Sequence, residues 1–296
     1  MEASIIVGIG MTKDQVLSFE VLKHSILRYQ RSDLKLTVIP LDEIGNDKIQ
    51  KQGVFQKTPF SLQRFYLASE LLILSHHNYG IYLDSDMLVL DDLVEILDGF
   101  ELNNKSIQTV QVKPEWNRRP QSSVMVFNRA GAQALSDSFD QYLDNHISYD
   151  ELIYLKTVKY GRDIPWFWNC LEYMSGESKL IHWTDVDTQP WLQKGNPNSS
   201  VWYSALFQYL QETDAHKLLE REVAYGNVLP SLIYVQRSGP SITKFPVSFL
   251  FKDLFFIPPP RLKRLKGRVF RKLVGPAFFV LRGAQSLLRN GQINVR

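Results

Sequence analysis

The chain has 296 residues, 44% of them hydrophobic and 22% charged, enough apolar content for a sizeable core in one large domain or a domain with an appendage. A single cysteine, Cys170, excludes an intramolecular disulfide and a Cys-rich metal site, and no uncharged apolar run approaches the ~20 residues of a membrane span. The net charge of +3 conceals an asymmetry: residues 261–296 hold ten Lys/Arg and no acid, which leaves 24 basic against 31 acidic residues in 1–260.

"ASIIVGIG" (3–10) reads as a buried first strand ending in glycines, and the segment before it has neither the basic start nor the long apolar run of a signal peptide. With one cysteine, that makes a cytoplasmic chain the expectation. The apolar spacing of "DQVLSFEVLKHSILRYQ" (14–30) predicts a helix, and "LKLTVIP" (34–40) a second strand stopped by Pro40. "TPFSLQRFYLASELLIL" (58–74) predicts a helix with Thr58 as N-cap, followed by a third strand, "GIYLD" (80–84). "SIQTVQV" (106–112) and "SSVMVFN" (122–128) add strands, and "GAQALSDSFDQYLDN" (131–145) another helix. This alternation is that of an α/β fold with a mostly parallel central sheet flanked by helices. A short strand is expected in "KLIHWT" (179–184), and helices near 200–213 and 215–224.

The third strand runs into two acids, Asp84 and Asp86, between apolar neighbours. Ligands collect at the carboxyl ends of strands in open α/β sheets, and side chains at i and i+2 of an extended segment point the same way. Two carboxylates converging there repel unless a cation is shared, and hard oxygen ligands suit Mg²⁺ or Mn²⁺ bound with substrate phosphates. The plainer reading is a pair of solvated acids.

In this context the sequence resembles glycosyltransferase family 8 and its GT-A relatives. The resemblance rests on "RFYLASELL" (64–72) followed by "GIYLDSDMLVLDDLVEIL" (80–97), on "IIVGIGMT" (5–12), on "QSSVMVFN" (121–128) and on "HWTDVDTQPW" (182–191). It implies a GT-A fold and a retaining transfer of a hexose from a nucleotide sugar, a UDP-sugar ahead of a GDP-sugar, to a glycan or lipid-linked hydroxyl. It implies Asp84, Asp86 and His182 as metal ligands, with imidazole favouring Mn²⁺ over Mg²⁺. Donor contacts carry over to Gly8, Ile9, Gly10, Arg64, Asp84, Ser85, Ser122 and Gln189. "ISYDELIYL" (147–155) matches the segment that places Asp150 and Glu151 at the donor sugar or acceptor hydroxyl, and Gln121 joins them as a catalytic candidate. The alternative for Asp150 and Glu151 is two acids opening a helix.

The chain departs from the family pattern at Gln121 (Asn expected), Ser123 (Gly), Asp185 (Gly) and Gln189 (Lys), with one extra residue between His182 and Pro190. A neutral Gln189 cannot offset diphosphate charge, which leaves Lys194, Arg64 or the Arg118–Arg119 pair for that task. The expected organisation is a catalytic domain over 1–245, divided near 112 into a nucleotide-sugar half and an acceptor half, then an aromatic and basic segment over 246–296. In "PRLKRLKGRVFRKLVGPAFFVLRGAQSLLRN" (260–290) the cations alternate with long aliphatics, the profile of an amphipathic helix on an anionic membrane surface. The expected location is therefore peripheral, on the cytoplasmic face of a membrane, with Phe249, Phe251, Phe255 and Phe256 inserting as well. Nucleic acid is the less favoured partner, and a tail that caps the core is the third reading. The rival functions are a nucleotidyltransferase, for which "VGIGMTKDQV" is poor in glycine and cations, and a non-catalytic sugar- or membrane-binding protein that kept the fold.

Overall fold

The aliphatic run Ser4–Gly10 forms strand β1, the parallel partner of both β2 (Lys35–Leu41) and β3 (Tyr79–Asp84). The structure, a computed structural model, describes residues 4–31, 33–41, 61–74, 76–98, 100, 106–111, 122–196, 198–240, 252–253 and 256. After β3 comes the short β4 (Met87–Val89), which belongs to a second sheet. The main sheet continues with β5 (Ile107–Val110), β6 (Val124–Asn128) and β7 (Gly161–Ile164), in the order β2-β1-β3-β6-β5-β7. Only β6 runs antiparallel to its neighbours. The second sheet is completed by β8 (Cys170–Leu171) and β9 (Leu180–His182), in the order β4-β9-β8. Pro40 does not stop the second strand; it lies within β2 opposite Ile9. An edge strand tolerates a residue without an N–H.

Alternation along the strands sends side chains to two helical layers. On one face Ile5, Val7, Ile9, Ile81, Leu83, Val124 and Val126 meet Phe19, Leu22 and Ile26 of α1 (Val16–Tyr29). On the other, Tyr82, Met125 and Phe127 meet Phe65 and Leu72 of α2 (Gln63–Leu74) and Leu135 and Phe139 of α3 (Arg129–Leu143). Each fully buried aliphatic or aromatic side chain contributes about 1.5–3 kcal/mol, so the sheet is fixed from both sides. Asn128 ends β6 and caps α3 at once, its Oδ1 accepting from Gly131 N at 3.0 Å. A short helix, α4 (Tyr149–Ile153), follows.

The C-terminal part of the described chain has its own core. Trp183, Trp191 and Trp202 pack in series, with centroids 6.5 and 5.3 Å apart, against α5 (Ser199–Glu212), α6 (His216–Ala224) and α7 (Leu232–Ser238). Leu17 and Val21 of α1 join this cluster and tie it to the sheet. Beyond the expected boundary at 245, Phe256 rests on the same cluster. Asp253 accepts from Ser231 N at 2.9 Å and pairs with Lys194. No helix among the described residues is long and apolar enough to cross a membrane. The expected cap Thr58, the stretch 113–121 with Arg118, Arg119 and Gln121, and the expected tail helix lie outside the described residues.

Candidate active site

Strands β1 and β3 end side by side, Gly10 paired with Asp84, and Ser85 N donates to Gly10 O at 3.0 Å to close the turn that follows. The chain then enters β4, which pairs antiparallel with β9 so that Met87 faces His182. Trp183 N donates to Asp86 O at 2.9 Å. These ladders bring His182 to the two acids, as the motif spacing leads one to expect. All three side chains are buried, and one ligand atom from each lies within 4.8 Å of the others.

Each of the three is held by a hydrogen bond at one atom, and Arg64 Nη2 also reaches Asp84 Oδ2, at 3.5 Å. Asp84 Oδ1 accepts from Tyr82 Oη at 2.6 Å and from Arg64 Nη2 at 3.2 Å. Asp86 Oδ2 accepts from Gln189 Nε2 at 3.0 Å. His182 Nδ1 lies 3.0 Å from Asn169 Oδ1. What remains turned inward is Asp84 Oδ2, Asp86 Oδ1 and His182 Nε2, with Nε2 4.0 Å from the first and 3.1 Å from the second. Asp86 Oδ1 is buried and receives no hydrogen bond of acceptable geometry from any described residue. A buried carboxylate oxygen left in that state is costly unless a cation occupies the space it faces. Two carboxylates and an imidazole are a donor set that a hard-to-borderline divalent ion accepts, so these residues fit the ion that the motif implies.

Burial is the largest influence on Asp84 and pushes its carboxyl above the usual range. Arg64 opposes it, Asp86 adds to it, and His182 and the Tyr82 hydroxyl pull it back. Burial, then Asp84, pushes the Tyr82 phenol well above its usual range, so it stays a donor. Arg64 also donates to Ser122 Oγ at 3.2 Å, and its guanidinium lies 5.3 Å from the Tyr82 ring centroid. One largely buried cation thus serves the end of β3 and the start of β6.

The other expected residues divide. Gly8, Ile9 and Gly10 form the end of β1 beside Asp84, though the Ile9 side chain belongs to the core. Ser85 Oγ is fully buried and without a hydrogen-bond partner among the described residues. Gln189 faces the candidate metal ligands, donating to Asp86 and to Trp183 O at 3.3 Å. Lys194 is engaged by Asp253. Glu151 closes a capping box at the start of α4: its Oε2 accepts from Ser148 N at 2.8 Å and from Ser148 Oγ at 2.7 Å. Those bonds, the backbone one first, hold its carboxyl below the usual range. Asp150 is exposed on the same turn, and the neighbouring Tyr149 lies within electrostatic reach of Arg64. Sequence reasoning missed Tyr82 and Asn169, and had Ser123 only as a departure from the family pattern. Tyr82 could have been found by its i, i+2 relation to Asp84 on one strand face; Asn169 carries no local signal.

No protein-family model and no curated protein matches the chain. Solved structures do. The galactosyltransferase LgtC, solved in complex with donor and acceptor sugar analogues, is 12% identical with a TM-score of 0.50, over 69% of this chain and 95% of that one. The glycosyltransferase GlyE of Streptococcus pneumoniae TIGR4 is 15% identical with a TM-score of 0.50, over 77% of this chain and 65% of that one. The bifunctional glycosyltransferase WbbM is 12% identical with a TM-score of 0.49, over 72% of this chain, which spans about half (52%) of its length. The chain has the GT-A fold of LgtC and GlyE.

Proposed function

We propose that the protein is a retaining, metal-dependent glycosyltransferase that moves a hexose from a UDP-sugar to a hydroxyl of a glycan or lipid-linked acceptor. The observation that carries this reading is the convergence of Asp84 Oδ2, Asp86 Oδ1 and His182 Nε2 at the carboxyl ends of β1 and β3, with Asp86 Oδ1 buried and unsatisfied. Ligands of open α/β sheets collect at such strand ends, which supports a nucleotide-sugar site there.

Those three atoms would hold the divalent ion, Mn²⁺ ahead of Mg²⁺ because imidazole is among them. Bound there with a diphosphate, the ion supplies Lewis-acid stabilisation of the leaving group. The chain's own residues do the rest. Arg64 offsets one of the two carboxylates and is, among the described residues, a buried cation at the site that can meet leaving-group charge, the role that an uncharged Gln189 leaves open. Tyr82 and Gln189 hold the outward oxygens of Asp84 and Asp86, so neither carboxylate has to reorganise when charge changes beside it. Gly8 and Gly10, at the end of β1, make room for the buried Leu41 and Tyr82 side chains beside Asp84. Asp150, exposed on α4, is the contact for the donor sugar or acceptor hydroxyl. Glu151 is spent on capping that helix, which favours attack by the acceptor hydroxyl itself over a covalent step through Glu151. The basic stretch 261–296 supports a peripheral seat on an anionic membrane, where a lipid-linked acceptor would be found.

Calorimetry of UDP-sugar binding tests the reading. Binding is expected to need Mn²⁺ and to be lost in Asp86→Ala with the circular dichroism spectrum unchanged. Undiminished, metal-independent affinity in that variant would remove the metal site from the account.

A further inference from the structure

Beside the three ligands, Asn169 is a buried polar residue, 5% exposed, in the turn between Trp168 and β8. Its Nδ2 donates to Ser123 Oγ at 3.1 Å, and its Oδ1 lies 3.0 Å from His182 Nδ1. We infer that Asn169, anchored by Ser123, is the positioning residue that fixes the tautomer and ring plane of His182 and so aims Nε2 at the metal position. The inference rests on the metal reading above and extends it to two residues outside the expected ligand set, Asn169 and Ser123.

A neutral imidazole carries one N–H and one lone pair, and the partner of one nitrogen decides which atom carries which. The amide donates through Nδ2 to the serine hydroxyl and therefore presents its carbonyl oxygen to the ring. An acceptor at Nδ1 requires the proton on Nδ1 and leaves the lone pair on Nε2. Nε2 is the atom 3.1 Å from Asp86 Oδ1 and 4.0 Å from Asp84 Oδ2. The opposite amide orientation would place the proton on Nε2, between the ring and the carboxylates, and would close the site to a cation. The structure holds the first of these, with Nδ2 on Ser123 Oγ and Oδ1 toward the ring. Ser123 stands where the family pattern has glycine, and its hydroxyl accepts from the amide nitrogen. The departure at 123 thus has a physical role: glycine there would leave the buried Asn169 amide without this anchor. The ring is restrained from its other side by the pairing of β9 with β8, Leu171 opposite His182 and Glu172 N donating to His182 O at 2.9 Å. The strands set where the imidazole is; Asn169 sets which way it faces. Such outer partners of metal-bound histidines change metal affinity by roughly 10–100-fold when removed.

The test is an electron paramagnetic resonance titration with Mn²⁺ alone on the full chain. Asn169→Leu is expected to bind Mn²⁺ about 10–100-fold more weakly than the unsubstituted protein. Asn169→Asp, which keeps an acceptor at the same place, should stay close to the unsubstituted protein or bind more tightly, and Ser123→Ala should lose less than Asn169→Leu. In a donor-hydrolysis assay Asn169→Leu should raise the Mn²⁺ concentration for half-activation while kcat at saturating Mn²⁺ stays near normal. A structural role alone would leave that concentration unmoved. Independently of any variant at 169, ¹⁵N NMR of the metal-free protein at pH 8, with His182 assigned by its loss in His182→Gln, should show the proton on Nδ1. A proton on Nε2, or Mn²⁺ binding by Asn169→Leu equal to that of the unsubstituted protein, would overturn the inference. If the unsubstituted protein itself binds no Mn²⁺, the metal reading fails first and this inference falls with it.

Discussion

At the scale of single residues, Asp84 depends on a phenol for which a glycine makes room. A Cβ at Gly10 would come within 2.2 Å of Tyr82 Oη, the atom that donates to Asp84. Gly10→Ala should therefore push the hydroxyl away, destabilise the fold by about 1–3 kcal/mol through overpacking and weaken Mn²⁺ binding about tenfold or more. Tyr82→Phe keeps the packing and removes only the hydrogen bond, so it should weaken Mn²⁺ binding without the overpacking penalty. Thermal melts beside Mn²⁺ titrations separate the two; unchanged Mn²⁺ affinity in Gly10→Ala would show that the phenol does not hold Asp84. Asp84, Asp86 and His182 were legible in the sequence because two acids interrupt an apolar strand and a histidine precedes a Pro-Trp pair in matching order. Tyr82 was counted among strand hydrophobics, and Asn169 meets His182 only after β8 and β9 pair, a contact that no local pattern encodes. The pair Asp150 and Glu151 had two readings, and Ser148-x-x-Glu151 is the capping-box spacing that accounts for the second acid.

At the scale of elements, the site hangs on a ladder of three residue pairs. Leu88 and Ile181 face each other at its centre, both buried in the tryptophan cluster. Ile181→Ala should cost about 2–5 kcal/mol and also weaken Mn²⁺ binding, because the same strand carries His182. A variant that loses stability but binds Mn²⁺ normally would mean that His182 is positioned from elsewhere. The far end of the ladder is pinned by charge. Leu90 N donates to Lys179 O at 2.8 Å, and Lys179 Nζ reaches Asp91 at 3.1 Å and also Glu95. Arg31 Nη2 pairs with Asp91 at 2.7 Å. Burial pushes the Asp91 carboxyl up, but Lys179, the Asp92 backbone and Arg31 together bring it below the ordinary value. A carboxyl depressed in the folded state contributes stability above its unfolded value and loses it as pH falls through the folded one. The contribution should thus be intact at pH 7 and disappear below about pH 4. Urea midpoints at pH 7 and pH 3 should differ less in Lys179→Met than in the unsubstituted protein; an equal difference would exclude this cluster. The long alternating segments were readable because their periodicity is set by burial on two faces. The three-residue strands β4 and β9 carry too little pattern for register, and Pro40 misled because edge position is a property of the sheet rather than of the segment.

At the scale of the whole molecule, an acidic body is followed by a stretch of ten cations without an acid. Asp253 and Phe256 hold the chain just before that stretch to the tryptophan cluster and to Lys194. Truncation after Pro260 should leave the melting temperature and Mn²⁺ binding unchanged yet abolish pelleting with anionic vesicles at low salt, where each Lys or Arg near the surface is worth about 1 kcal/mol. Truncation after Phe245 should in addition lower the melting temperature by at least roughly 2–4 °C, since about 1 kcal/mol produces that shift in a chain of this size. Pelleting that survives removal of 261–296 would assign membrane contact elsewhere. The most direct test of metal-dependent sugar transfer is hydrolysis of a panel of UDP- and GDP-sugars by the full chain, with Mn²⁺ or with chelator, beside Asp86→Ala. A UDP-sugar should be hydrolysed only with the divalent ion and about 10²–10³-fold more slowly in Asp86→Ala. Hydrolysis that ignores both the chelator and the substitution, or no hydrolysis of any sugar nucleotide in the panel, would contradict it.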